Sequence, residues 1–244
     1  MNNQLLSSLI YPIIAMENDN FLYISSGFLY RKKEKFYFIT SLGTILGREI
    51  PSGEFKTKNK NIPTHFEIKL SLFQNDLISV NKWCLPIRLS PYNDDYEPTF
   101  YIHPTYKKEI DIAVFPIQAN GKDLIALNDF DTVKENNEKK EVFITGFPLF
   151  PNQSDDKTSP ILEQSKITHQ GSNILIMNPI NRIGMFGSAV FQLTDLTENA
   201  FCFLGLFSGN HQNLKTPPSK PPFIWKKSFI EEIIEGQYKE SCMD

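Results

Sequence analysis

Short apolar runs, many with a two-residue alternation, follow one another along the chain and are broken by polar clusters. The first two, Leu5 to Met16 and Phe21 to Tyr30, are divided by the turn-forming residues Glu17-Asn18-Asp19-Asn20, a pattern that predicts a β-hairpin. After the polar turn Arg31-Lys32-Lys33-Glu34-Lys35 comes Phe36-Tyr37-Phe38-Ile39. Farther on, His65-Phe66-Glu67-Ile68-Lys69-Leu70 alternates strictly, as a strand with one buried face does. Further strands are expected at Leu77 to Leu85, Ile112 to Phe115, Val142 to Gly146, Ile174 to Met177, Ser188 to Leu193 and Phe201 to Phe207. Helical spacing stands out near the end, where Phe229, Ile230, Ile233 and Ile234 form one apolar face and Ser228 with Glu231 reads as a capping box. The loop-like stretches are Pro91 to Pro98, Asp129 to Lys140 and the proline-rich Asn213 to Pro222. Many short strands with polar breaks predict an all-β chain, built as a sandwich or a pair of barrels, with a C-terminal helix packed on it.

Composition strengthens the β reading, because twenty Phe and nine Tyr favour half-buried strands over helices. At 244 residues the chain has room for one ordinary domain or two small barrels packed as one, and it shows neither an internal repeat nor a linker. A net charge of −3 leaves no electrostatic footprint for nucleic acid, and the small run Lys56, Lys58 and Lys60 reads as a solvated loop. Cys84, Cys202 and Cys242 are odd in number and widely spaced, so they suggest neither a disulfide framework nor a zinc site. No metal and no cofactor is expected. The N-terminus carries no Lys or Arg before Arg31, and its apolar stretch Leu9 to Met16 is short and broken by Pro12. That argues against a signal peptide or a membrane span, and a reducing cytoplasm is the expected setting.

The octet Gly184-Met185-Phe186-Gly187-Ser188-Ala189-Val190-Phe191 is similar to the nucleophile loop of trypsin-like serine peptidases, with Phe186 in the serine's place. Other segments resemble the bacterial members of that family in the right order. Ser26-Gly27-Phe28 leading into Ile39-Thr40-Ser41-Leu42-Gly43 resembles a "GTGF" strand followed by "ITNWH", and Thr44-Ile45-Leu46-Gly47-Arg48 fixes the register so that Gly43 stands at the general base. His103-Pro104 with Asp111-Ile112-Ala113-Val114 is similar to "HP…DVAV" and puts Asp111 at the triad acid. Ile144-Thr145-Gly146-Phe147-Pro148, the approach segment Asn178 to Arg182, the strand Leu204 to Gly209 and the final Ile224-Trp225 with its helix complete the likeness.

The resemblance implies two packed antiparallel β-barrels of the chymotrypsin type, one over residues 1–125 and the other over 126–222, with a helix over 223–238. It also implies that the chemistry is lost. A serine is activated only when a histidine takes its proton, and the aspartate holds that imidazole. Gly43 has no side chain and Phe186 has no transferable proton, so of the triad positions only Asp111 keeps its residue type. Without a histidine, a buried Asp111 needs other donors, such as the Ser208 hydroxyl or backbone N–H groups. Phe186 is expected to fill the volume of the missing imidazole, its ring over Asp111 and across the groove. The backbone oxyanion hole would come from the N–H groups of Gly184 and Phe186, and a peptide groove would be lined by Ser208, Gly209 and Asn210.

The implied function is a catalytically inactive serine protease homologue, binding a protein or peptide partner or serving as a scaffold in a bacterial multi-protein system. No nucleic acid and no membrane is expected among its partners. One alternative is a hydrolase with a rearranged site built from Ser188 and one of His65, His103, His169 or His211, or from a cysteine. The other is a structural subunit whose cleft is filled and whose outer surface meets its partners.

Overall fold

The computed structural model of the protein describes residues 8–50, 53–71, 73–74, 77–78, 84–118, 124–136, 138–148, 160–178, 185–193, 201–208 and 221–241. A hairpin of β1 (Ile10–Glu17) and β2 (Asn20–Lys32) opens the chain, turning at Asn18, whose φ of 53° lies in the left-handed region that asparagine tolerates. β2 is long enough to pair with β1 on one side and with β3 (Lys35–Thr40) on the other. A short helix, α1 (Leu42–Ile45), follows β3 directly. Then come β4 (His65–Ser71), the two-residue strands β5 (Phe73–Gln74) and β6 (Leu77–Ile78), β7 (Cys84–Leu89) and β8 (Ala113–Ile117). The larger strands form a six-stranded antiparallel half-barrel in the order β7-β4-β1-β2-β3-β8.

The second half of the chain makes a closed antiparallel barrel in the order β10-β11-β14-β13-β12-β9. Its strands are β9 (Glu141–Gly146), β10 (Ile161–Gln170), β11 (Ile174–Met177), β12 (Ala189–Leu193), β13 (Phe201–Ser208) and β14 (Phe223–Lys226). The all-β, two-sheet architecture is the one the strand pattern and the resemblance predict. One boundary moves. Phe223 to Lys226, assigned from sequence to the helical end, is the strand that closes the barrel by pairing with both β11 and β13. The helix α2 (Lys227–Gly236) therefore begins as soon as the chain leaves the barrel. Its N-cap is Lys226, without a side-chain cap, so Ser228 already lies inside the first turn and makes no capping box.

Three apolar clusters hold the two sheets together. One lies within the half-barrel (Leu29, Phe38, Phe66, Phe100 and neighbours) and one within the closed barrel (Val142, Leu175, Val190, Leu204 and neighbours). The third fills the seam, where Phe28, Ile39 and Val114 of the first sheet meet Phe191, Phe203 and Leu206 of the second and the Phe229, Ile230, Ile233 and Ile234 face of α2. β13 serves both of the last two clusters through its alternation: Phe201 and Phe203 face the seam, while Cys202 and Leu204 face the barrel interior. Past Gly205 the phase inverts, so that Leu206 faces the seam and Phe207 the interior. A bulge causes the inversion. Val190 pairs with Gly205, and the next residue of β12, Phe191, pairs with Phe203. Only glycine fits there, since a Cβ on Gly205 would lie 1.9 Å from the Trp225 carbonyl oxygen.

Ile230 is wholly buried in the seam. Ile230→Ala is expected to lower unfolding free energy by about 2–5 kcal/mol, read from urea denaturation; a loss within about 0.5 kcal/mol would show that α2 does not anchor the seam.

Candidate functional site

The structure brings Asp111, Gly43, Ser208 and Phe186 together at one end of the seam. Ser41 caps α1, its hydroxyl oxygen accepting the Thr44 N–H at 3.1 Å. That cap starts a helix of a single turn, which aims the Gly43 N–H at Asp111 Oδ1, 2.7 Å away. Ser208, at the end of β13, donates its hydroxyl to Asp111 Oδ2 at 2.7 Å. The phase inversion at Gly205 makes this possible, because it leaves Ser208 on the seam side with Leu206. Asp111 thus receives a backbone donor from the first sheet and a hydroxyl from the second. Burial still raises its pKa above the usual carboxylate value, against the pull of the Gly43 N–H, the Ser208 hydroxyl, the Lys56 ammonium and the Leu42 N–H.

Gly43 sits where its surroundings leave no room for a side chain. The chain folds back just after α1, with the Arg48 N–H donating to the Gly43 carbonyl at 3.2 Å. A Cβ on Gly43 would lie 2.6 Å from the Arg48 carbonyl oxygen, a backbone atom with no freedom to swing away. The local path of the chain has closed around a glycine.

Phe186 is fixed by its backbone as well as its ring. Its carbonyl accepts from the Ser26 N–H at 3.0 Å and from the Ser25 hydroxyl at 2.9 Å, which ties the loop to β2. The ring is 7 % exposed, packs 6.3 Å from the Phe207 ring, and carries the Lys56 ammonium 4.7 Å from its centroid. The ring expected over Asp111 thus carries a cation on its face.

Lys56 is the residue that sequence reasoning missed. Its neighbours Lys58 and Lys60 are exposed, as a solvated loop requires, but Lys56 is half-buried and its ammonium is set against Thr44 and two aromatic rings. Its own N–H donates to the Gly47 carbonyl at 2.8 Å, which turns the side chain inward. The ammonium donates to Thr44 Oγ1 at 3.3 Å and lies 5.5 Å from the Tyr23 ring centroid. The hydrogen positions around Thr44 follow from the partners. Ser25 spends its proton on the Phe186 carbonyl, so Thr44 donates to Ser25 at 2.7 Å, and the Ser41 hydroxyl donates to Thr44 at 2.8 Å. A directed chain of hydrogen bonds therefore runs from the Lys56 ammonium through Thr44 and Ser25 to the carbonyl that pins Phe186. Burial lowers the Lys56 pKa from 10.5 to about 8, with attraction to Asp111 opposing the shift.

The other candidates fall outside this cluster or outside the described residues. Ser188 is fully buried, and a Cβ on Gly146 would lie 1.9 Å from its Oγ, so its hydroxyl points at β9 in the interior. His103 accepts the Thr105 and Tyr106 N–H groups at Nδ1, both at 3.1 Å, which leaves Nε2–H to donate to Glu232 at 3.0 Å. His65 is buried with Nδ1 3.1 Å from the Arg88 guanidinium, and His169 is exposed on β10. Gly184, Gly209, Asn210, His211 and Cys242 lie outside the described residues, as does the side chain of Cys84; Cys202 is a buried free thiol. Among the described residues, no group of three or more His, Cys, Asp or Glu side chains is placed to hold a metal ion, and no helix is long and apolar enough to cross a membrane.

No family profile and no curated protein sequence matches the chain. Solved structures do. A Glu endopeptidase in complex with MPD superposes with a TM-score of 0.54 at 13% identity, over 95% of this chain and 91% of that one. A serine endoprotease from Yersinia pestis gives 0.51 at 13% identity, over 94% of this chain and 62% of that one. The fold is that of the trypsin-like serine proteases. A scabies mite inactivated protease paralogue shares it as well, with a TM-score of 0.51 at 11% identity over 95% of this chain and 96% of that one. Identities this low reach the trypsin-like fold and stop there.

Two predictions follow from this geometry. Gly43→Ala is expected to lower the melting temperature, at a cost of about 1–3 kcal/mol, because the Arg48 carbonyl must move; an unchanged melting curve would show the turn to be pliable. The second concerns pH. The folded chain releases the Lys56 proton near 8 and the unfolded chain near 10.5, so Lys56 opposes folding most below about 8, and that penalty lifts as pH rises between the two values. Asp111 runs the other way, favouring the fold most below 3.8 and losing that advantage as pH rises through its raised folded value. Denaturation at about pH 7 and about pH 10 should show the native chain gaining stability relative to Lys56→Met; parallel behaviour of the two proteins would rule out an enclosed, titrating amine.

Proposed function

We propose that this chain is a catalytically silent homologue of the trypsin-like serine proteases that works by binding a protein or peptide, as a subunit or scaffold of a bacterial multi-protein system in the cytoplasm. The observation that carries the reading is the occupation of Asp111. One of its oxygens takes a backbone N–H from Gly43, the other takes the Ser208 hydroxyl, and the nearby cation is a lysine bound up with two aromatic rings and a threonine. In an active triad the aspartate holds an imidazole that shuttles the nucleophile's proton, and this arrangement has a glycine and a phenylalanine at those two places. An oxyanion hole alone gives roughly 10³ to 10⁴ over water, too little for a working peptidase. The mite protein of the same fold is itself described as inactivated. The buried free thiol of Cys202 suits a reducing compartment.

Phe186 and Lys56 together favour one further refinement. With a ring and an ammonium filling the centre, the partner is better met on the outer surface than by a peptide threaded through the catalytic position. Ser188 has no such support as a substitute nucleophile, given its burial. A fluorophosphonate probe is expected to label no residue of the native protein, and peptide and ester substrates to turn over no faster than in buffer. Labelling of a serine that disappears on heat denaturation would overturn the reading.

A further inference from the structure

A cavity of about 320 Å³ opens beside the turn that follows α1. Its walls are apolar, built from Ile45 and Leu46 at the end of α1, Ile62 and Pro63 before β4, and Tyr92 and Tyr96 from the loop before Phe100. Arg48 and Asn93 supply polar groups to it. The cavity is held open by its frame. The Leu46 N–H donates to Leu42 at 3.0 Å and the Thr64 N–H to Met16 at 2.8 Å, while Tyr92 packs edge-on against Phe100 at 6.2 Å. Asn93 Oδ1 accepts the Asp95 and Glu97 N–H groups at 3.1 and 2.7 Å, which fixes the loop and leaves the amide Nδ2 as the side chain's free donor.

Three further observations point to a ligand. Arg48 Nε is buried and has no hydrogen-bond partner, and among the described residues no carboxylate forms an ion pair with this guanidinium. The guanidinium lies 5.3 Å from the Phe55 ring centroid but has no counter-ion among the described residues, and an anion entering the cavity would supply one. No acidic residue lines the cavity, so its one formal charge is positive. Tyr96 is 75% exposed and Ile62 46% exposed at the rim, and Tyr96 is held in the left-handed region at φ 61°. A bulky residue pays for that backbone conformation, and such strain is retained where the side chain's position matters. Arg48 also borders a wider depression on its other side, but Lys107, Lys108, Glu49, Glu109 and Glu240 give that one mixed charge and no preference for a single sign.

We infer that the cavity beside Arg48 binds a small apolar monocarboxylate: the apolar body against Ile45, Ile62, Tyr92 and Tyr96, and the carboxylate on Arg48 and Asn93. A free aromatic or branched aliphatic acid and the apolar C-terminal residue of a peptide share this chemistry. A pocket at the small end of the usual range takes a body of about one or two residues, not an extended chain. This site is independent of whether the seam is catalytic.

The test is calorimetric titration of the full chain with N-acetyl-leucine, N-acetyl-leucinamide, 3-phenylpropionate and a hexapeptide ending in leucine with a free carboxylate. Saturable binding of the acid in the micromolar to millimolar range is expected, weakened about tenfold or more in the amide and in Arg48→Gln. Tyr96→Ser, at an exposed residue, should also weaken binding and keeps the test valid if Arg48→Gln does not fold. Binding of the peptide at least as tight as that of N-acetyl-leucine assigns the site to C-termini, and binding confined to the small acids assigns it to free acids; either supports the inference. Absence of saturable binding, equal binding of acid and amide, or indifference to Arg48→Gln and Tyr96→Ser would overturn it.

Discussion

A carboxylate buried between two apolar sheets must be neutralised by its surroundings or leave. Asp111 stays because the half-barrel offers it a backbone N–H at the start of α1, the closed barrel offers it a hydroxyl at the end of β13, and an ammonium stands nearby. Much of the architecture around the seam follows from meeting that demand. The single-turn helix capped by Ser41, the bulge that turns Ser208 inward and the inward course of Lys56 each deliver a group to the same place. The cost of desolvation is still not fully met, which is why the acid and the base are both shifted toward their neutral forms.

The same cluster explains how a phenylalanine is accommodated at the position the resemblance assigns to a nucleophile. Its carbonyl accepts from β2 twice, and its ring has an ammonium above it and Phe207 beside it. The hydrogen-bonded hydroxyls of Ser41, Thr44 and Ser25 connect the lysine to that carbonyl. Charge and loop geometry at this end of the seam are therefore coupled through a few side chains.

Much of this was legible in the sequence because it depends on backbone pattern. The β1–β2 hairpin follows from an asparagine-rich break, the four-residue face of α2 from its spacing, and the need of Asp111 for donors from its burial. What escaped lacked a local signature. β10 is mostly exposed and carries polar residues on both faces, so alternation could not reveal it. β14 looked like the approach to a helix, since strand pairing with β11 and β13 is decided far away in the chain. Lys56 differs in no sequence feature from Lys58 and Lys60; only the tertiary hydrogen bond at Gly47 singles it out. Arg48 was legible only as a marker of register, because its place at the cavity wall with no counter-ion among the described residues is a fact of three dimensions.

The phase inversion on β13 bears on what the chain can tolerate. Beyond the bulge, the facing of each residue depends on the one extra residue that β13 carries against β12. Drawing the bulge flat with the length unchanged would restore strict alternation and rotate the terminal hydroxyl into the barrel's interior, leaving the carboxylate with one donor fewer, whereas losing the extra residue would leave that hydroxyl on the seam side. A strand of this kind can lose its extra residue and keep its facing, but it cannot keep that residue and lose its bend.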